Sequence, residues 1–218
     1  MMKKTTRPYR SAHRTGQAAQ TRAAILGAAD ALFRSKGWTA TTIALIARQA
    51  GVSAETVYSG FGNKRTILQT LVIAAVRRDA PEVPLARQAR PSAVLAEPDP
   101  ARLLGQFARD IADVLSRVAP LMAVVRSGAT TEPELASLYS ELHEGRRGNL
   151  LAVAEVLART GALRPHLTAA SAADTIWRLA SPELFTLIQD VEGTSPEAFG
   201  TWLEDTLVHA LLATGSGQ

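Results

Sequence analysis

Between Thr41 and Lys64 the chain reads TTIALIARQAGVSAETVYSGFGNK, and this tract constrains the fold more than any other. Two short helices fit into so few residues only if the turn between them is tight and they cross steeply. Each requirement has a residue. Thr41 or Thr42 caps the first helix, Ile43 and Ile46 face inward, and Ala47 is small enough to be crossed closely. Gly51, four residues later, supplies a positive φ at the turn without steric cost. Val52 plugs the core behind it, Ser53 caps the second helix, and Val57 anchors that helix from beneath. The pattern predicts a helix-turn-helix at about 42–61. Ala54, Glu55, Thr56, Tyr58 and Ser59 are left around the exposed side of its second helix. Such a helix enters a major groove with its N-terminal part, and its unpaired N–H groups suit a phosphate.

Spacing alone also describes helix packing that has nothing to do with DNA, so charge decides. The net charge of +4 is unevenly spread. Residues 1–65 hold eleven Lys/Arg, all four lysines among them, against only Asp30 and Glu55, whereas residues 66–218 hold thirteen against eighteen acids. A basic head on an acidic body supplies the phosphate attraction that groove reading requires. The same charge alone would also suit an anionic membrane surface or an acidic protein.

The remaining periodicity is helical. Residues 1–17 read as a flexible basic arm. From about Ala18 to Lys36 a stripe of Ile25, Leu26, Ala29, Leu32 and Phe33 recurs at three-and-four spacing, and Gly37 follows as a left-handed C-cap. Asn63 caps a helix at about 64–79. Five of the eleven prolines fall in residues 80–100, which predicts a loop. Asp99-Pro100 opens a helix to about Val118, and Pro120 starts a short one to about Ser127. A long helix runs from about Pro133 to Thr160. Thr168 caps a helix that Pro182 kinks or breaks before it resumes to about Asp190, and Ser195-Pro196 opens the last one. No alternating strand pattern or internal repeat occurs, so the expected fold is all-α, with about nine helices. The division is an arm at 1–17, a three-helix helix-turn-helix DNA-binding domain at 18–65, and a helical bundle at 66–218.

On Thr56-Val57-Tyr58-Ser59-Gly60-Phe61-Gly62-Asn63-Lys64, directly after the Ala50-Gly51-Val52-Ser53 turn, the sequence resembles the tetracycline-repressor (TetR) family of bacterial regulators. The resemblance covers about residues 20–75 closely and the rest more loosely. It implies that Tyr58 and Lys64 contact phosphate, that Phe61 is buried behind Tyr58, that Thr42 touches the backbone at the other edge of the groove, and that Thr56 meets base or phosphate. The candidate DNA contacts are Thr41, Thr42, Ser53, Ala54, Glu55, Thr56, Tyr58, Ser59, Gly60 and Lys64. Many members carry an aromatic and a histidine where this chain has Ser59 and Gly60. Glu55 is unusual on a DNA-facing helix. It either stabilises the helix N-terminus or accepts from a cytosine amino group.

The resemblance further implies that residues beyond about 80 bind a small-molecule effector and form a homodimer. In this picture the dimer is a repressor on a palindromic operator, released when the effector binds. Broad apolar faces on the last two helices, with Trp177, Leu184, Leu187, Ile188, Trp202, Leu203 and Leu207, are candidates for a four-helix interface. Phe107, Ile111, Met122, Val125 and Tyr139 are candidate apolar lining of an effector pocket, with Arg126, His143 and Arg147 as polar groups to orient a ligand.

Other classes fare worse. Cysteine is absent, which excludes disulfides, a thiol nucleophile and cysteine-ligated metal. His13, His143, His166 and His209 are scattered, and no GxSxG, P-loop or GxGxxG occurs. The expectation is therefore no enzyme, no cofactor and no metal. No apolar run approaches the ~18 residues of a membrane span, and no apolar segment follows the basic start as a secretory signal would require. A bacterial cytoplasmic protein is expected. The competing reading is a helical adaptor, or a protein that binds DNA without operator selectivity. It accounts for the charge but not for the Tyr58–Phe61–Lys64 spacing.

Overall fold

The computed structural model describes residues 9–78 and 82–213, which divide between two compact units, residues 1–71 and 72–218. Among the described residues there are ten α-helices and a single 3-10 turn, and no strands.

The first unit is built on α1 (Tyr9–Ala40), α2 (Ile43–Ala50), α3 (Ala54–Phe61) and the start of α4 (Lys64–Arg77). Ile25, Ala29, Leu32 and Phe33 of α1 are buried, as are Ile46 and Ala47, Val57 and Phe61, and Ile67 and Leu68 on the helices that follow. The flexible arm expected at 1–17 is corrected in part. Residues 9–17 already belong to α1, and residues 1–8 lie outside the described residues. Gly16 to Gln20 are exposed, so burial does not hold this end. The run after Pro8 is rich in Ala, Gln and Arg, and a helix nucleated on the buried stripe extends outward through such residues at little cost. Gly37 does interrupt α1, at φ 71° and ψ −170°, and a further turn follows to Ala40. Trp38, just past the break, stacks on Phe33 with ring centroids 5.9 Å apart.

In the second unit α6 (Pro100–Ala129) is central. Against it pack α5 (Ala89–Ala96), α7 (Pro133–Arg159), α9 (Pro182–Glu192) and α10 (Pro196–Leu211), while α8 (Ala169–Leu179) packs on α7. Leu103, Leu104, Leu115, Leu121 and Val125 on α6 meet Leu135, Leu138 and Leu157 on α7 and Leu203, Leu207 and Leu211 on α10 in one apolar interior. Phe185 and Phe199 pack edge to face, 5.0 Å apart. The α6–α10 crossing is close because both helices carry glycine. A Cβ on Gly200 would lie 3.4 Å from that of Ala112, and a Cβ on Gly105 would run into the Glu204 carboxylate, which pairs with Arg109 at 3.2 Å. The end of α10 is stitched to the segment after α7, Arg164 N–H donating to Leu211 O and Ala213 N–H to Ala162 O, each at 2.9 Å.

Two expectations about proline are corrected. Pro120 does not start a helix but sits inside the continuous α6. Its ring faces outward, while Val118, Ala119, Leu121 and Met122 around it are buried, so packing carries the helix across a residue that costs ~3 kcal/mol in a helix interior. The stretch expected to be a loop at 80–100 contains the 3-10 turn Leu85–Arg87 and α5. Pro91 is tolerated there because it occupies the first turn, where a backbone N–H has no acceptor within the helix. Pro182, in contrast, breaks the chain as expected. Ser181 caps α9 by accepting from Leu184 N–H, and α8 has its own capping box of Thr168 and Ser171.

One carboxylate organises the end of α4. Asp113 of α6 takes Arg78, Arg117 at 2.9 Å and, more distantly, Arg90 at 3.7 Å. Arg117 also donates from Nε to Ala75 O at 3.0 Å. Burial alone would raise the Asp113 pKa, but the hydrogen bond and charge of Arg117 and the nearby Arg78 outweigh it and hold it low.

Candidate nucleic-acid interface

The turn between α2 and α3 forms as its residues dictate. Thr42 caps α2, its side chain accepting from Leu45 N–H at 3.1 Å, and Gly51 closes it at φ 68°, ψ 31°. Val52 N–H returns to Ala47 O at 3.0 Å. Ser53 caps α3 by accepting from Thr56 N–H at 3.2 Å, and its hydroxyl lies 3.0 Å from that of Thr56. Val57 and Phe61 are the buried side of α3. Its other side presents Glu55, Thr56, Tyr58, Ser59 and Gly60, all exposed, with Ala54 half-buried at the start. Tyr58 is 55% exposed, an unusual state for an aromatic with nothing to cover it in its own unit. The Glu55 carboxylate is drawn to the helix start: its own backbone N–H and the Ser53 hydroxyl lower its pKa. That supports the N-terminal stabilising role over base reading.

Two predicted contact residues are placed differently. Thr41 is fully buried, its hydroxyl donating to Gly37 O at 2.8 Å, so it is unavailable to a duplex. The break at Gly37 leaves carbonyls without helical partners, and Thr41 turns inward to satisfy one of them. Lys64 is only half-exposed and its ammonium is engaged inside the unit. It donates to Trp38 O and to Thr41 O, each at 2.8 Å, and lies 3.8 Å from the centre of the Trp38 ring. Asn63 caps α4 as expected, accepting from Thr66 N–H at 2.8 Å.

Sequence reasoning missed Arg22. From α1 its guanidinium reaches the last turn of α3, donating to Gly60 O at 3.4 Å and lying 4.3 Å from the centre of the Phe61 ring. The separation of 38 residues leaves no periodic trace. The only signal was a cation on the exposed side of a helix otherwise read for its apolar stripe.

In the second unit, of the residues proposed to orient a ligand only His143 sits within a half-buried polar cluster joining α7, α8 and α9, together with Tyr139, proposed as apolar lining, and the unpredicted Arg146 and Glu183. Tyr139 donates to Glu183 at 2.8 Å, and His143 Nε2 lies 3.5 Å from the same oxygen. Arg146 Nη1 is 3.2 Å from His143 Nδ1, and Arg146 also donates to Trp177 O. Burial alone would raise Glu183, but the neighbouring His143 and Tyr139 and its own backbone N–H bring it down to about 2. Burial and the Glu183 carboxylate push Tyr139 up to about 12, and burial lowers Arg146 to about 10. Arg147 pairs with Asp174 at the rim. Phe107, Met122 and Val125 are core residues of α6, and Ile111 is half-buried. An open groove of about 620 Å³ lies beside the cluster. Arg126, Arg178, Glu183, Leu184, Leu187 and Val191 are among the residues that line it, so of the predicted pocket set only Arg126 borders it.

The predicted dimer face separates in the same way. Leu203 and Leu207 are fully buried in their own unit and are removed from it. Trp177 is half-buried, its ring packed against His143 and under Arg146. The periodicity that marked these residues reports helix packing within one chain. Leu187 (57%), Trp202 (39%) and the unpredicted Val191 (74%) are exposed on α9 and α10, with Leu184 and Ile188 half-buried.

Residues 25–71 match the family described as bacterial regulatory proteins, tetR family. No curated protein matches the chain. Solved structures agree in fold across nearly the whole length. NalD, the secondary repressor of the MexAB-OprM multidrug efflux pump in Pseudomonas aeruginosa, superposes with a TM-score of 0.68 at 22% identity, over 90% of this chain and 98% of its own. FadR, a fatty acid degradation regulator from Bacillus halodurans, does so at 0.69 and 19%, over 90% and 99%. SmeT, solved in complex with triclosan, gives 0.64 and 18%, over 91% and 94%. At these identities the likeness speaks for the fold alone.

Proposed function

We propose that this chain, a TetR-family transcription regulator by its N-terminal unit, is a homodimeric repressor that binds an inverted-repeat operator and is released by a small molecule. The observation that carries the reading is α3. It is seated on the core by Val57 and Phe61, capped by Ser53, and bare of internal packing on the side that holds Thr56, Tyr58 and Ser59. A helix so presented in a basic unit suits the major groove, with Tyr58 and the capped N-terminus directed to phosphate. The expected contacts are Thr42, Ser53, Ala54, Thr56, Tyr58, Ser59 and Gly60.

A single eight-residue helix reads few base pairs, and pairing two copies supplies length and affinity. The exposed Leu187, Val191 and Trp202 support a second copy seated on α9 and α10. Such a copy would also cover part of the α6–α8–α9 groove and convert it into an enclosed site. There Arg126 and Glu183 would orient an effector among Leu184, Leu187 and Val191. The effector acts by its different affinity for the DNA-bound and free dimers. A bacterial cytoplasm is the setting this reading implies.

The test is selection of bound duplexes from random DNA by the full chain. An inverted repeat with half-sites about one helical turn apart is the expected product. Retention of every duplex alike, disappearing at moderate salt, would favour the adaptor or non-selective reading instead.

A further inference from the structure

We propose that Lys64 is the clasp that closes the helix-turn-helix and sets the attitude of α3, a positioning residue rather than a phosphate ligand. The inference rests on the operator-binding reading above, but its structural half stands without it.

The reasoning begins with backbone accounting. Gly37 breaks α1 at φ 71°, and in the segment that leads into α2 Trp38 O accepts from Thr41 N–H at 3.2 Å, while the Thr41 carbonyl lies between the two helices. Thr41 turns its hydroxyl to Gly37 O. Lys64 answers Thr41 O and gives Trp38 O a second donor, with Nζ at 2.8 Å from both and the indole face of Trp38 at 3.8 Å. A cation on the first residue of α4 opposes that helix's own dipole. Folding back onto two carbonyls and an aromatic face reverses the sign of its surroundings. Trp38 in turn is fixed by stacking on Phe33.

The consequence lies in what the contact joins. Trp38 and Thr41 stand immediately before α2, and Lys64 stands immediately after α3. A contact spanning 23 to 26 residues therefore ties the two ends of the helix-turn-helix together. Arg22 adds a second hold of the same kind, a carbonyl of α3 and the adjacent Phe61 ring. With both ends fixed, the angle at which α3 leaves the core is fixed as well. Loss of the clasp would let α3 tilt and would weaken every groove contact together.

The chain has four lysines, Lys3, Lys4, Lys36 and Lys64, so the full-length protein labelled at lysine Cε gives a spectrum simple enough to assign with Lys64→Met. The expected Lys64 signal is shifted upfield by the Trp38 ring in the free protein and stays there when the selected duplex is added. An unshifted signal in the free protein, or one that leaves the ring on binding, overturns the proposal. On that duplex, Lys64→Met is expected to weaken binding about tenfold, the scale of one charged hydrogen bond. The slope of log affinity against log salt should be unchanged, and Lys64→Arg, which can still donate and stack, should recover part of the loss. A slope reduced by about one with an unchanged unfolding midpoint is the signature of a lost phosphate contact and overturns it. If the wild-type chain selects no duplex, the operator reading fails, and the free-protein spectrum still decides the clasp.

Discussion

The TetR resemblance implies one role for both Tyr58 and Lys64, yet their surroundings separate them. Tyr58 projects from α3 with more than half its surface open, whereas the Lys64 ammonium is held on two carbonyls and an indole ring. Tyr58→Phe should therefore weaken operator binding about five- to tenfold, the value of one hydrogen bond, and leave the unfolding midpoint in place. Titration on the selected duplex beside a thermal melt checks both halves. In the second unit the residue to change is Glu183. Its pKa of about 2 lies below the ordinary glutamate value of 4.5, so the ionised form is favoured by folding. The associated stability is complete above pH 4.5 and is lost as pH falls from there toward 2. Screened by solvent at this half-exposed site, Glu183→Gln should cost on the order of 1–2 kcal/mol at pH 7 and less at pH 3, read from urea midpoints at the two values. What was legible at this scale was local: Gly51, Ser53, Val57 and Asn63 act through neighbours three to five positions away. Thr41, Lys64 and Arg22 were not, because each answers a vacancy created by the break at Gly37 or by the end of α3, and no periodicity records a vacancy.

At the scale of elements, helix starts were read well where a cap met a turn. Thr42, Ser53, Asp99, Thr168 and Ser195 each accept from a backbone N–H three residues on, and the unpredicted Ser181 does the same. Proline was read less well because its effect depends on position. At the first residue of α9 it ends one helix and begins another, in the first turn of α5 it is neutral, and inside α6 it is overridden. The α6 case makes a prediction. Pro120→Ala replaces an outward-facing ring by the best helix former and restores an N–H, so it should stabilise the second unit by about 1–3 kcal/mol. A lower denaturation midpoint would mean that the ring makes contacts worth more than the helix gains. The basic segment before residue 18 taught the opposite lesson. Lacking an apolar stripe, it read as unstructured, yet within the described residues α1 reaches back to Tyr9.

For the molecule as a whole, the all-α architecture followed from periodicity alone, but the separation of core from partner-facing surface did not. A helix in a bundle can bury one face in its own chain and offer another to a neighbour, and hydrophobicity looks the same on both. Leu203 and Leu207 went inward while Trp202, beside them in sequence, remained 39% exposed. Placing a charge on the outward set should separate the copies without disturbing the interior. Val191→Glu, and independently Trp202→Glu, are expected to sediment as monomers at micromolar concentration, keep their helical circular dichroism, and lose most operator affinity. A variant that still sediments as a dimer would remove that residue from the interface. The crossing of α6 and α10 carries a longer consequence. The space a methyl group on Gly105 would need is filled by the Glu204 carboxylate, the far end of a flexible and partly exposed side chain that can turn aside. Alanine at 105 should therefore swing that carboxylate outward and release Arg109 from it, a change worth less than about 1 kcal/mol for so exposed a pair.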